Sequence, residues 1–193
     1  MPTGVALRDV REQLFDAADR ILLSAGPHAL TSRAVTTEAG CAKGVLHRHF
    51  ADFDAFLAGY VLDRVHRMDA QAARLTEAAG TGTVAGNVAG ALTALFGSVA
   101  VAIVALVTFR DELRARLRED WPAGVPVLTE GARMIASYLE DERSRGRIAR
   151  DADPDTLGAM LIGTGHLLFA DRTGPPPTPE AVLAMVTKIV PAV

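Results

Sequence analysis

Hydrophobic residues recur at steps of three and four along nearly the whole chain, the period of helices with one buried face. Val10, Leu14, Ala17, Ala18, Ile21 and Leu22 mark a first helix from Asp9 to Ala25, after a loose arm over residues 1–8. Gly26-Pro27 ends it, as Gly past the end and Pro just beyond should do. Asp52 can cap a long helix listing Phe53, Phe56, Leu57, Tyr60, Val61, Val65, Met68, Ala72 and Leu75, which runs to about Ala79. Gly80-Thr81-Gly82 breaks the chain, and two buried helices follow with a break around Gly97. Asp111–Asp120 turns only Leu113 and Leu117 inward, and Trp121-Pro122 and Gly124-Val125-Pro126 then interrupt or kink the helix. Helical spacing resumes with Val127, Leu128, Met134, Ile135, Tyr138 and Leu139, and fades in the polar stretch 141–150. Asp153-Pro154-Asp155 and Thr178-Pro179-Glu180 each combine a capping residue, Pro at the first helical position and an early acid. They open helices of about 154–171 and 179–190. The pattern predicts an all-α fold of about nine helices with no strand.

Residues Ala78 to Phe109 contain no charge over 32 positions, which raises the question of a membrane span. Five glycines and several Thr, Ser and Asn residues interrupt the run. Its longest apolar piece, Val99–Val107, spans only about 13–14 Å as a helix at ~1.5 Å per residue. Buried helices of a folded body are the better reading. Gly82, Gly86 and Gly90 recur every fourth residue, so this face is expected to approach another helix closely.

Composition agrees with close helix packing: hydrophobic residues make up 49% and charged ones 22%, while aromatics are only 5%. The net charge of −3 carries no global sign of nucleic-acid binding. Locally, residues 26–50 set Arg33, Lys43 and Arg48 against Glu38 alone, an excess of two positive charges with His28, His47 and His49 added. A weakly basic head on an acidic body suits a protein that presents one small patch to DNA. Cys41 is the single cysteine, so no disulfide forms within one chain and a cytoplasmic location is expected.

The stretch Leu30–Leu57 organises the rest. Thr31 can cap a short helix through Glu38, Gly40 supplies a turn, and a second helix is predicted from about Ala42 to Phe50. A helix pair joined by a short Gly-containing turn is the helix-turn-helix plan, whose second helix enters the DNA major groove. Thr31-x-Arg33, Ala39-Gly40, Lys43-Gly44-x-Leu46 and His49-Phe50 resemble the DNA-binding motif of the TetR (tetracycline-repressor-like) family of transcription regulators. The resemblance covers about fifty residues. It implies a three-helix head over residues 1–51 and a ligand-binding and dimerisation body over 52–193, joined by the linking helix of about 52–79.

Sequence readout needs side chains at base edges and anchoring needs groups on phosphates. Lys43 can reach guanine acceptors or a phosphate, while Gly44 and Val45 would lie on the groove floor with Val45 against a thymine methyl. The resemblance puts His47 and His49 at phosphate or base contacts, and Arg48 can reach a base or a neighbouring phosphate. Thr31, Ser32 and Arg33 start the preceding helix, where backbone N–H groups suit a phosphate. Three residues depart from the family pattern. His47 replaces the usual Tyr and would make anchoring pH-sensitive, Ala42 replaces a capping Ser or Thr, and Phe53 replaces a Lys that meets phosphate.

The resemblance further implies a pocket in the body for a small, largely apolar ligand, with Asn87, Phe96, Thr108, Trp121, Met134, Ser137, Tyr138 and His166 as candidate liners. It also implies a homodimer through the last two helices. No catalytic constellation stands out. Cys41, His47 and His49 make a poor metal site, since His47 and His49 point about 200° apart on a helix. Gly163-x-Gly165 follows no strand, so no dinucleotide loop is expected. Neither enzyme activity nor a cofactor is expected. The expected function is a homodimeric, small-molecule-responsive transcription regulator, a repressor on a palindromic operator. The alternative is a helical ligand-binding or scaffold protein with a degenerate DNA-binding head.

Overall fold

The computed structural model describes residues 4–171 and 174–190, with side chains from Val10 onward. Among these residues there are ten α-helices and no strand. They are α1 (Gly4–Ala25), α2 (Ser32–Glu38), α3 (Val45–His49), α4 (Phe53–Glu77), α5 (Val84–Phe96), α6 (Ala100–Thr108), α7 (Asp111–Asp120), α8 (Pro126–Ser144), α9 (Pro154–Phe169) and α10 (Pro179–Ile189), with a 3-10 turn at Pro27–Ala29. The expected count of about nine treated 111–146 as one kinked helix. Pro126 instead opens a separate helix, because a proline at the first position suits a helix start and not its interior. Helix α1 begins at Gly4, where a loose arm was expected, because residues 5–9 contain neither Gly nor Pro. The first three residues of that expected arm lie outside the described residues. No single helix is long and apolar enough to cross a membrane.

Packing divides the chain into two compact units, residues 1–63 with 102–123, and residues 64–101 with 124–193. The sequence-based division at residue 51 follows the motif, whereas packing adds α7 and most of α6 to the unit that holds it.

The first unit is built on α1. Leu14, Ala17, Ala18 and Leu22 are buried, as the spacing predicts, and so is Phe15, which the spacing did not single out. Phe15 sits within 6 Å of three rings: Phe50 at 5.9 Å, Phe56 at 5.6 Å and Tyr60 at 5.8 Å between centroids. Gly59 leaves room for this cluster, since a Cβ there would lie 3.3 Å from Phe50 Cε1. The Arg11 guanidinium covers the Phe50 ring at 4.6 Å, and Tyr60 donates to Asp19 at 2.5 Å. Asp52 caps α4 by accepting from Ala55 N at 2.7 Å, and α7 holds the same carboxylate through Arg116 at 2.9 Å. Two residues after Asp52, Asp54 pairs with Arg110 at 2.6 Å.

In the second unit α8 packs most extensively on α9, and α10 lies against α5 and α9. The helices meet where side chains are missing. A Cβ on Gly158 would fall 2.6 Å from the Ala132 carbonyl, one on Gly131 2.8 Å from Ile162, and one on Gly165 2.8 Å from Phe96. The expected close-approach face, Gly82, Gly86 and Gly90, does not behave this way. Gly82 takes positive φ in the turn, Gly86 meets only its own cap Thr83, and Gly90 has nothing within 4 Å. These α5 glycines border open space. Thr83, Asp153 and Thr178 each cap the helix that follows with a side-chain oxygen.

A buried polar network ties the turn between α4 and α5 to α8. Glu142 is fully buried and accepts from Tyr138 OH at 2.6 Å and from Gly80 N at 3.2 Å. Arg147 lies 3.2 Å from its second oxygen and donates to the Gly82 carbonyl at 2.6 Å. Gly146 makes this possible. Its left-handed φ of 73° ends α8 with Gly146 N on Arg143 O and Arg147 N on Glu142 O, turning Arg147 back over the helix end.

Candidate nucleic-acid interface

Thr31 caps α2 by accepting from Ala34 N at 3.1 Å. The helix ends at Gly40, whose φ is 65°, with Gly40 N on Thr37 O and Cys41 N on Thr36 O. This paired closure fixes the direction in which the chain leaves α2. Helix α3 starts at Val45, three residues later than expected. Lys43 and Gly44 lie in a turn closed by Val45 N on Ala42 O at 2.9 Å. No side chain caps α3, whose N-cap is Gly44. Lys43 therefore stands before the recognition helix, not within it.

The helix pair is seated by Val35, Thr36, Leu46 and Phe50, all buried. That seating decides what faces outward. Thr31, Arg33, Lys43, Gly44, His47 and Arg48 are exposed, while Ser32, Val45 and His49 are half-buried. His47, Arg48 and His49 follow one another, and the structure turns the first two fully outward. The electrostatics of this face are simple. Glu38 is the single acid of residues 26–50, and Arg20 of α1 engages it at 2.6 Å. Among the described residues Arg33, Lys43 and Arg48 make no ion pair. Their charges remain unneutralised by the protein and can be met by phosphate.

The Phe53 departure has a structural role. Its ring stacks on Phe56 at 5.6 Å, and the Arg110 guanidinium lies 5.4 Å from its centroid. Sequence periodicity missed Arg20, Arg110 and Arg116, because their partners Glu38, Asp54 and Asp52 are distant in the chain. Among the described residues no His, Cys, Asp and Glu side chains cluster as a metal site.

The eight candidate ligand liners are divided between the two units. Thr108 and Trp121 belong to the first unit and the other six to the second. Thr108 and Ser137 are exposed, Met134 and Tyr138 are buried, and Phe96 packs on His166 at 6.0 Å and Phe169 at 5.7 Å. Asn87 borders a cavity in the second unit. That cavity, about 290 Å³, lies between the last turns of α4 and the glycine face of α5.

Residues 14–58 match the family described as bacterial regulatory proteins, tetR family. No curated protein sequence matches the chain. Solved structures share its fold over nearly their full length. Escherichia coli NemR in its reduced form superposes with a TM-score of 0.70 at 18% identity, over 95% of this chain and 98% of that one. A Rhodococcus sp. protein described as a TetR-family transcriptional regulator gives 0.69 at 18% identity, over 93% and 95%. Bacillus subtilis FadR, a transcriptional regulator in complex with stearoyl-CoA, gives 0.64 at 16% identity, over 92% and 94%. Residues 14–58 thus resemble the tetR family of bacterial regulatory proteins, and the chain as a whole is similar in fold to a solved structure described as a TetR-family transcriptional regulator.

Proposed function

We propose that the protein is a homodimeric, ligand-responsive transcriptional repressor that binds a palindromic operator in the cytoplasm. The observation that carries this reading is the outward face of the helix pair, where Arg33, Lys43 and Arg48 are exposed and make no ion pair among the described residues. Lys43 and Arg48 read or anchor at the groove, Val45 meets the groove floor, and Thr31, Ser32, His47 and His49 complete the contact face. Two heads facing half-sites ~34–36 Å apart match one turn of B-DNA.

The dimer reading is supported by an exposed apolar face on the last two helices. Met160 is 50% exposed and Leu167 76% on α9, and Leu183 is 41% exposed on α10. Side chains of this kind gain by burial against a second copy, at roughly 25 cal/mol per Å² of apolar surface. A ligand in the second unit would act by population shift. Helix α4 runs without a break from Phe53 in the motif-bearing unit to Leu75 in the cavity wall. A ligand preferring the state with mismatched heads by about 100-fold shifts the equilibrium by roughly 2.7 kcal/mol.

Selection of bound fragments from random DNA tests this reading. Enriched palindromes whose binding weakens steeply with salt, and is lost in Lys43→Ala/Arg48→Ala, are expected. Absence of enrichment would leave the chain as a helical ligand-binding protein whose head has lost DNA affinity.

A further inference from the structure

The cavity between α4 and α5 carries a chemical signature that differs from a plain apolar pocket. One wall is Leu75 and Ala78, and the other is Gly86, Gly90, Ala91 and Ala94. Gly90 leaves bare helix backbone where a side chain would otherwise fill the space. At about 290 Å³ the volume lies at the small end of ligand sites, which run from ~300 to 1,000 Å³.

Three polar groups border this space with capacity left over. Gln71 Oε1 is buried and accepts no hydrogen bond, although buried acceptors are ordinarily met by a donor. Asn87 spends its amide N–H groups on the Ala78 and Thr81 carbonyls and on Tyr138 OH, at 3.3, 3.0 and 2.9 Å. Its Oδ1 accepts nothing among the described residues. The bond to Tyr138, itself held by Glu142, fixes the Asn87 amide so that this oxygen keeps its place. Arg74 lines the same cavity and makes no ion pair among the described residues. The site thus offers one cation and two acceptors on an apolar bed.

We propose that this cavity binds a small carboxylate that also carries a hydroxyl or N–H donor, its carboxylate on Arg74 and its donor on Gln71 or Asn87. The proposal rests on the ligand-responsive reading above and revises the expected ligand from a largely apolar molecule to a small anion. Charge-assisted bonds of the guanidinium–carboxylate type are about twice as strong as neutral ones, so the charge should dominate affinity. The donor then selects among carboxylates, because a ligand without one leaves the Gln71 acceptor unmet.

Titration calorimetry on the full chain with three probes tests the site. The probes are 4-hydroxybenzoate, benzoate, which lacks the donor, and 4-hydroxybenzyl alcohol, which lacks the charge. The expected result is 4-hydroxybenzoate binding at least about tenfold tighter than either. Arg74→Gln should erase its advantage over the alcohol, and Gln71→Leu its advantage over benzoate. Gly90→Leu fills the cavity at a position with nothing within 4 Å of a Cβ, so the variant should keep its thermal unfolding midpoint and lose binding. No binding by any probe, equal binding of the alcohol, or full binding by Gly90→Leu overturns the proposal. DNA selection on the same preparation keeps the two readings apart. Enriched operators without probe binding remove this ligand class alone, whereas probe binding without enriched DNA keeps the site and removes the regulator.

Discussion

Tyr138 donates its hydroxyl hydrogen to Glu142 Oε1 across 2.6 Å, one helical turn away and wholly out of solvent. The same hydroxyl accepts from Asn87, so one phenol joins α8 to α5. Tyr138→Phe removes both bonds and leaves the buried Glu142 carboxylate one donor short, with an expected loss of about 1–3 kcal/mol. A lower urea midpoint at unchanged slope is the expected readout. Burial, and then the hydrogen bond to Glu142, push the Tyr138 phenol above its ordinary range. A group whose value is raised on folding stabilises below the unfolded value, and that stability is lost as pH rises through the folded one. Wild-type stability should therefore start to fall once pH passes about 10, and Tyr138→Phe should remove that part of the fall.

The sequence made much of this fold legible for local reasons. Thr31, Asp52, Asp153 and Thr178 cap the helices they were expected to cap, because capping depends on an oxygen and the next few N–H groups. Gly40 and Gly80 turn the chain with positive φ for the same reason. The site was less legible. The polar stretch 141–150 looked like a fading helix end, yet it supplies Glu142 and Arg147 to a buried network. Burial of a carboxylate depends on partners far along the chain, here Gly80 and Gly82, which periodicity does not reveal. The glycines of α5 resembled a packing face because spacing alone cannot tell an approaching helix from an open cavity. The late start of α3 was hidden because Ala42 and Lys43 suit a helix as well as a turn.

Asp52 offers a test of the junction between the helix pair and α4. The Ala55 amide, and also Arg116, hold its carboxyl below the usual range. A depressed value means stability present above the unfolded value and lost as pH falls through the folded one. Asp52→Asn keeps the capping oxygen and loses the charge, whereas Asp52→Ala loses both. The thermal midpoint at neutral pH should fall in the order wild type, Asn, Ala, and in acid the wild type should approach Asn while Ala stays below both.

Gly158 is where α9 touches the α8 backbone. A Cβ there would lie 2.6 Å from the Ala132 carbonyl, which cannot swing aside as a side chain can. Gly158→Ala should lower stability by about 1–3 kcal/mol. Gly163→Ala, with nothing within 4 Å, should raise it by roughly 0.5–1 kcal/mol through reduced backbone entropy. Paired denaturant titrations give both signs.

Leu167 stands 76% exposed on α9 and tests self-association. Leu167→Glu should yield a monomer by sedimentation at micromolar concentration with helical content unchanged. A dimer that persists would move the interface elsewhere.

Arg33 tests phosphate anchoring apart from sequence readout. Arg33→Ala should weaken binding uniformly across operator variants and reduce the slope of log affinity against log salt by about one. A change confined to one base position would assign Arg33 to readout instead.

A cavity formed by omitted side chains is open to revision in a way that a cavity carved from the core is not. At Gly90 an added Cβ would meet no atom within 4 Å, so an alanine could narrow the space without disturbing the packing of α8 on α9. Such steps leave the reading head untouched. Under the proposed function, ligand preference would then drift by single substitutions on one helix face, apart from the residues proposed to meet DNA.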